Sequence, residues 1–107
     1  MSSRSIAAKA NELINQHFPC SAFNIKALAE MMHFHEAYLR KVFKANIGMS
    51  PNAVLKEVRM MAARKLLGNR LLSVQDVASA VGIPDASYFC KCYTKRFGYP
   101  PSQERAQ

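Results

Sequence analysis

At 107 residues the chain is long enough for one domain, or for two very small ones sharing a core. Half of its residues are hydrophobic, and 15 Lys and Arg against 7 Asp and Glu leave a formal charge of +8. Such an excess repels itself unless a polyanion offsets it, so a polyanion, nucleic acid or a membrane surface, is the expected partner. No apolar run reaches the roughly 18–20 residues of a membrane span, and the N-terminus lacks the apolar stretch of a signal peptide. Cys20, Cys90 and Cys92 are odd in number and make no disulfide framework, so a cytoplasmic protein without membrane contact is expected.

Ile6, Ala10, Leu13, Ile14 and Phe18 recur at helical spacing and predict an amphipathic helix over residues 4–18, stopped by Pro19. Asn24 suits the N-cap of a short helix over 25–32. A tight turn through His33 and Phe34 then leads to a third helix over 36–46, with Gly48 just beyond its end. Ser50-Pro51 is a strong helix start, and Leu55, Val58, Met61, Ala62, Leu66 and Leu67 give the fourth helix an apolar stripe. Gly68-Asn69 closes it. Ser73 with Asp76 predicts a capping box for a fifth helix, and Val81-Gly82-Ile83-Pro84 a turn. A sixth helix is expected over 85–97, ended by Gly98, and Pro101 opens a last short one. No segment alternates like a strand. The expected fold is all-α, with about seven helices.

Two stretches of the chain say nearly the same thing. Leu28, Ala29 and Met32 correspond to Val77, Ala78 and Val81; Leu39, Phe43, Gly48 and Pro51 correspond to Phe89, Tyr93, Gly98 and Pro101. Each copy has what a helix-turn-helix needs. Ala29 and Ala78 are small where two helices cross. Gly82 tolerates positive φ in the second turn, and His33 holds that place in the first, as a residue type enriched in that region.

The third helix then divides by face. Tyr38, Leu39, Val42 and Phe43 fall within an arc of about 140°, whereas Ala37, Arg40, Lys41 and Lys44 lie opposite, a set with cations and no anion. The sixth helix repeats this, with Phe89, Cys92 and Tyr93 on one side and Ser87, Cys90, Lys91 and Thr94 on the other. A basic outer face on a helix apolar behind suits insertion into a major groove.

These residues resemble the DNA-binding domain of the AraC/XylS family of bacterial transcription regulators. The resemblance is carried by Leu28-Ala29, Tyr38 to Lys44, Gly48-Met49-Ser50-Pro51, Arg59 with Ala63 and Leu66-Leu67, and Ser73-Val74. Its most specific part is Val77-Ala78 with Val81-Gly82-Ile83, then Ser87-Tyr88-Phe89, Lys91, Tyr93, Phe97-Gly98 and Pro101-Ser102. It implies two helix-turn-helix subdomains, residues 1–50 and 70–107, joined by a linker helix over 51–69. Pro51 to Leu67 would be about 25 Å long, enough with its attached units to span one turn of B-DNA, about 34 Å. The resemblance also implies a sequence-specific DNA-binding transcription regulator. Its two recognition helices, about 36–46 and 85–97, would enter successive major-groove segments of an asymmetric site.

Carried over by position, Ala37, Arg40, Lys41, Ser87, Cys90 and Lys91 are the base-facing residues, with Ala86 and Tyr88 at the margin. Arg40 is the strongest candidate for direct readout, because Arg grips guanine bidentately. Lys44, Thr94, Lys95, Arg96 and Arg59 are assigned to phosphates, which set register and salt dependence. Two departures stand out: His35 holds a slot where the family usually has Ser or a similar cap, and Pro100 replaces a cap before the last helix.

No catalytic constellation, cofactor motif or metal-ligand spacing is present. Cys90 and Cys92, two apart on a helix, point about 200° apart and are poor partners for one ion. The expected partner is double-stranded DNA, with RNA polymerase a family implication. The DNA-binding part is expected to be monomeric, any dimerisation belonging to a sensing domain elsewhere. A basic helical module docking an acidic protein is the alternative reading, and salt dependence separates the two.

Overall fold

The computed structural model describes residues 1–106. Its helices are α1 (Ser3–His17), α2 (Ile25–Met32), α3 (Glu36–Ile47), α4 (Pro51–Leu66), α5 (Val74–Ala80), α6 (Ala86–Phe97) and α7 (Pro101–Ala106), with no strand among the described residues. The chain forms two compact units. One holds residues 1–18 and 22–57, the other residues 19–21 and 58–107, so α4 begins in the first and ends in the second.

The helix starts follow from capping chemistry. Asn24 Oδ1 accepts from the Ala27 amide at 2.8 Å, and Ser50 Oγ from that of Ala53 at 3.1 Å. Before α5, Asp76 N donates to Ser73 Oγ at 2.9 Å while Ser73 N donates to Asp76 Oδ2 at 2.8 Å, which completes the expected capping box. Asp85 is the cap of α6 rather than its first residue, because its carboxylate accepts from Tyr88 N at 3.0 Å. His35 caps α3 with extended backbone but contributes no side-chain hydrogen bond.

The two copies are also punctuated alike. In the first, His33 N donates to the Glu30 carbonyl and Phe34 N to that of Ala29; in the second, Gly82 N donates to Ser79 and Ile83 N to Ala78. This pair of bonds defines a Schellman turn, with His33 (φ 60°) and Gly82 (φ 88°) in the left-handed position. The matched alanines therefore serve twice: they let helices approach, and their carbonyls close the turn. After α3 and α6 the chain turns left-handed again at Gly48 (φ 89°) and Gly98 (φ 86°). In each copy a fully buried proline follows, Pro51 or Pro101.

In the first unit α1 packs on α3 and α2, burying Ile6, Ala10, Ile14, Leu28, Leu39 and Phe43. Burial of one such side chain contributes about 1.5–3 kcal/mol. In the second unit Val77, Ala78 and Val81 pack with Phe89 and Tyr93, and α7 lies against α6.

Two expectations about facing are corrected. Met61 is 48% exposed, whereas Met60, Ala63 and Leu67 are buried. Pro51 and Leu55 sit in the core of one unit and Met60, Ala63 and Leu67 in that of the other, so no single stripe runs the length of α4. Tyr38 is 46% exposed instead of sharing the core with Leu39, Val42 and Phe43. Its ring packs beside Phe34 at the turn, with centroids 5.5 Å apart, and Tyr88, its counterpart, is exposed as well.

Candidate nucleic-acid interface

The helices α3 and α6 are each divided by burial. Leu39, Val42 and Phe43 hold α3 from behind, while Ala37, Arg40, Lys41 and Lys44 are exposed. Phe89 and Tyr93 hold α6, leaving Ser87, Lys91, Thr94, Lys95 and Arg96 exposed and Cys90 half-buried. Ala37, Arg40, Lys41 and Lys44 thus lie along one side of α3, and Ser87, Cys90, Lys91, Thr94 and Lys95 along one side of α6, whereas Arg96 lies off that side, seven residues from the buried Phe89. No ion pair among the described residues engages Lys41, Lys44, Lys91 or Lys95. Lys44, Lys95 and Arg96 also occupy last helical turns, where the helix dipole favours cations.

Other predicted residues have intramolecular partners. Thr94 Oγ1 donates to the Cys90 carbonyl at 2.8 Å. Arg96 lies over the Phe97 ring, 4.8 Å from its centroid. Arg59 Nη2 donates to the Cys20 carbonyl at 3.0 Å, and partial burial lowers its pKa from the ordinary arginine value. Arg59 thereby ties the Pro19–Ser21 segment to α4 within the second unit. Tyr88, at the margin of α6, has its hydroxyl pKa raised by a hydrogen bond with the Cys92 thiol.

The margin of the outer face of α3 carries an acid. Arg40 Nη2 lies 2.5 Å from Glu36 Oε1, a pair formed across one helical turn. The sequence carried this signal: a Glu one turn N-terminal to an Arg is the favourable orientation for such a pair.

A second cluster escaped the sequence reading. Glu104 Oε1 accepts from the hydroxyls of Tyr93 at 2.5 Å and Tyr99 at 2.7 Å, and Arg64 Nε lies 3.2 Å from it. The tyrosine hydrogen bonds, that of Tyr93 foremost, hold the Glu104 carboxyl below its ordinary value. Desolvation, then the bond to Glu104, pushes the Tyr93 phenol far above its own. Arg64 also rests over Phe97, 4.8 Å from the centroid. Beside it Arg105 donates from Nε to the Leu67 carbonyl at 3.3 Å, and from Nη2 to those of Asn69 at 3.3 Å and Leu72. Together Glu104 and Arg105 fix α7 against α6 and the loop between α4 and α5, which places them in support of α6.

Residues 28–107 match a family described as a helix-turn-helix domain. Among curated relatives, the HTH-type transcriptional activator RhaR of Pectobacterium atrosepticum is 36% identical over 83 residues, covering 78% of this chain and 29% of its own. The chain spans 29 to 32% of the length of the first curated relatives it matches. Among solved structures, the C-terminal domain of AraT, a response regulator from Geobacillus stearothermophilus, superposes with a TM-score of 0.91 at 30% identity. That match covers 94% of this chain and 84% of the other. The DNA-binding domain of AdpA, determined with a target DNA, gives a TM-score of 0.85 at 22% identity, over 94% and 89% of the two chains, a likeness of fold.

Proposed function

Since this chain belongs to the AraC-type helix-turn-helix family, we propose that it is the DNA-binding part of a sequence-specific transcription regulator. It would insert α3 and α6 into successive major-groove segments of an asymmetric site. The observation that carries this reading is the division of both helices: a core-held back, and a front of lysines without ion pairs. Residues 51–69 act as the linker helix and its end, between subdomains over 1–50 and 70–107.

Within this reading Arg40 and Lys41 of α3, and Ser87, Cys90 and Lys91 of α6, face the bases. Ala37 is too short to do more than touch a thymine methyl. Lys44 and Lys95 meet phosphates, with Arg96 beside them; Thr94 contributes less, because its hydroxyl already donates to a carbonyl of this chain, and Arg59 also contributes less, being partly buried and held on the Cys20 carbonyl. The name activator, borne by a relative, supports contact with RNA polymerase at a promoter, and the two unlike readers suit a monomer on an unsymmetrical site. The reading places the protein on the bacterial chromosome in the cytoplasm.

The test is selection of bound duplexes from a randomised library, followed by titration of the selected and a scrambled duplex over a range of salt. A preferred sequence is expected, together with affinity that falls steeply as salt rises, because each neutralised phosphate releases counterions. Binding without sequence preference would favour a non-specific basic surface. Tight binding to an acidic protein and none to DNA would return the docking-module reading.

A further inference from the structure

Glu36 is the first residue of α3, and Arg40 stands one turn beyond it with Nη2 at 2.5 Å from its carboxylate. The two side chains are 36% and 56% exposed, and exposed pairs at this spacing add little to stability. The carboxylate also has a cost. It stands next to Arg40 at the margin of the outward face, on the side of the buried Phe43 seven residues on, and a negative charge there opposes contact with any duplex. Its charge suits the first turn of α3, but that contributes only about 0.3–1 kcal/mol, so the contact with Arg40 is the feature that calls for a reason.

We propose that Glu36 is a positioning residue for base readout: it fixes the Arg40 guanidinium in one orientation, which sharpens discrimination, while its charge lowers affinity for every duplex alike. The inference rests on the DNA-binding reading above. A free arginine samples many rotamers, and ordering it on binding costs free energy. The guanidinium has five donors in a rigid fork, so one given to Glu36 leaves others for guanine O6 and N7. Residues at the start of a recognition helix are those that reach base edges, and the pair strengthens where water is excluded from a groove.

The second copy lacks the device. Ala86 and Cys90 stand at the corresponding positions of α6, and the acid nearest its start, Asp85, is used as the N-cap. Pre-setting of an arginine is therefore a property of the first reader.

The experiment measures affinity for a duplex selected by the wild-type chain and for a scrambled duplex of equal composition. Glu36→Gln is expected to bind the scrambled duplex more tightly and to lose roughly three- to tenfold in the preference between the two. Glu36→Asp keeps the charge but is one methylene short of Arg40, so it should lose the preference without gaining scrambled affinity. In an Arg40→Ala background, Glu36→Gln should no longer alter the preference. Helical circular dichroism and melting temperature, read alongside, should stay close to the wild type for both variants, because the first-turn charge contributes only about 0.3–1 kcal/mol. An unchanged preference in both variants overturns the inference, as does an undiminished effect in the Arg40→Ala background. A wild-type chain that prefers no duplex overturns the DNA-binding reading itself, and the inference with it.

Discussion

The Tyr93 hydroxyl donates to Glu104 Oε1 at 2.5 Å, so the core-facing side of α6 is held by a carboxylate from α7. This carboxyl titrates below the ordinary glutamate value of 4.5, because Tyr93, then Tyr99, stabilise its charged form. The folded state therefore takes up this proton less readily than the unfolded one. The stability contributed by Glu104 is full above the unfolded carboxyl's range and is lost as pH falls through the folded value. Glu104→Gln should flatten the acid limb of a urea-midpoint profile measured between about pH 7 and pH 3. Asp76, depressed by the Ser73 backbone hydrogen bond, titrates in the same direction and should keep part of that limb in the variant. An acid limb identical to wild type would count against the cluster.

Arg105 spends its guanidinium on the Leu67, Asn69 and Leu72 carbonyls. Arg105→Ala should lower stability by about 1–3 kcal/mol, the range for losing charged hydrogen bonds to part-buried groups. Arg105→Lys, which lacks the planar fork, should recover only part of this. Chemical denaturation of the pair of variants checks both statements.

His35 holds the cap position of α3 without a side-chain hydrogen bond. His35→Ser should therefore stabilise the chain by about 1 kcal/mol, the usual difference a good N-cap makes. The denaturation midpoint would move up. A fall would mean that the imidazole makes a contribution other than capping.

Gly98 has φ +86° and open space where a Cβ would be added. Gly98→Ala should then cost about 1–2 kcal/mol from backbone conformation alone. His33 already bears a strain of that kind at φ 60°, so His33→Gly should cost nothing or stabilise by about 0.5 kcal/mol once the entropy of glycine is set against it. A clear loss for Gly98→Ala and no loss for His33→Gly are the measurable outcome.

Arg40→Ala should weaken binding to a selected duplex by about 1–3 kcal/mol and relax preference at one base pair. Lys44→Ala should weaken all duplexes alike and reduce the salt slope by about 1. Competition titrations on selected, single-mismatch and scrambled duplexes distinguish them, and equal losses everywhere from both would remove the division of labour.

The features legible in the sequence were local ones. Ser73 with Asp76, Gly82, Gly98 and the Ser50-Pro51 start each act within a few residues, and the helices lie where these signals place them. His33 was legible because few residue types accept its conformation. Three kinds of feature were not. Met60 replaces Met61 in the core because α4 serves two cores, and a stripe drawn along the whole helix averages over that change. Tyr38 has the hydrophobicity of a core residue, but Phe34 at the turn offers its ring a surface partner. Glu104 and Arg105 meet Arg64 and Leu67 only after the chain has folded back, and no spacing rule reports such contacts. Glu36 differs from these: its spacing to Arg40, one helical turn, is readable in the sequence.

On both α3 and α6 the side chains that hold the helix and those that face outward are disjoint sets. Leu39, Val42 and Phe43 share no position with Arg40, Lys41 and Lys44, and Phe89 and Tyr93 none with Ser87, Lys91 and Lys95. Substitutions at the outward positions usually shift stability by no more than about 0.5 kcal/mol. The outward chemistry of such a chain can change by single substitutions, each variant still folded, with no change to its interior.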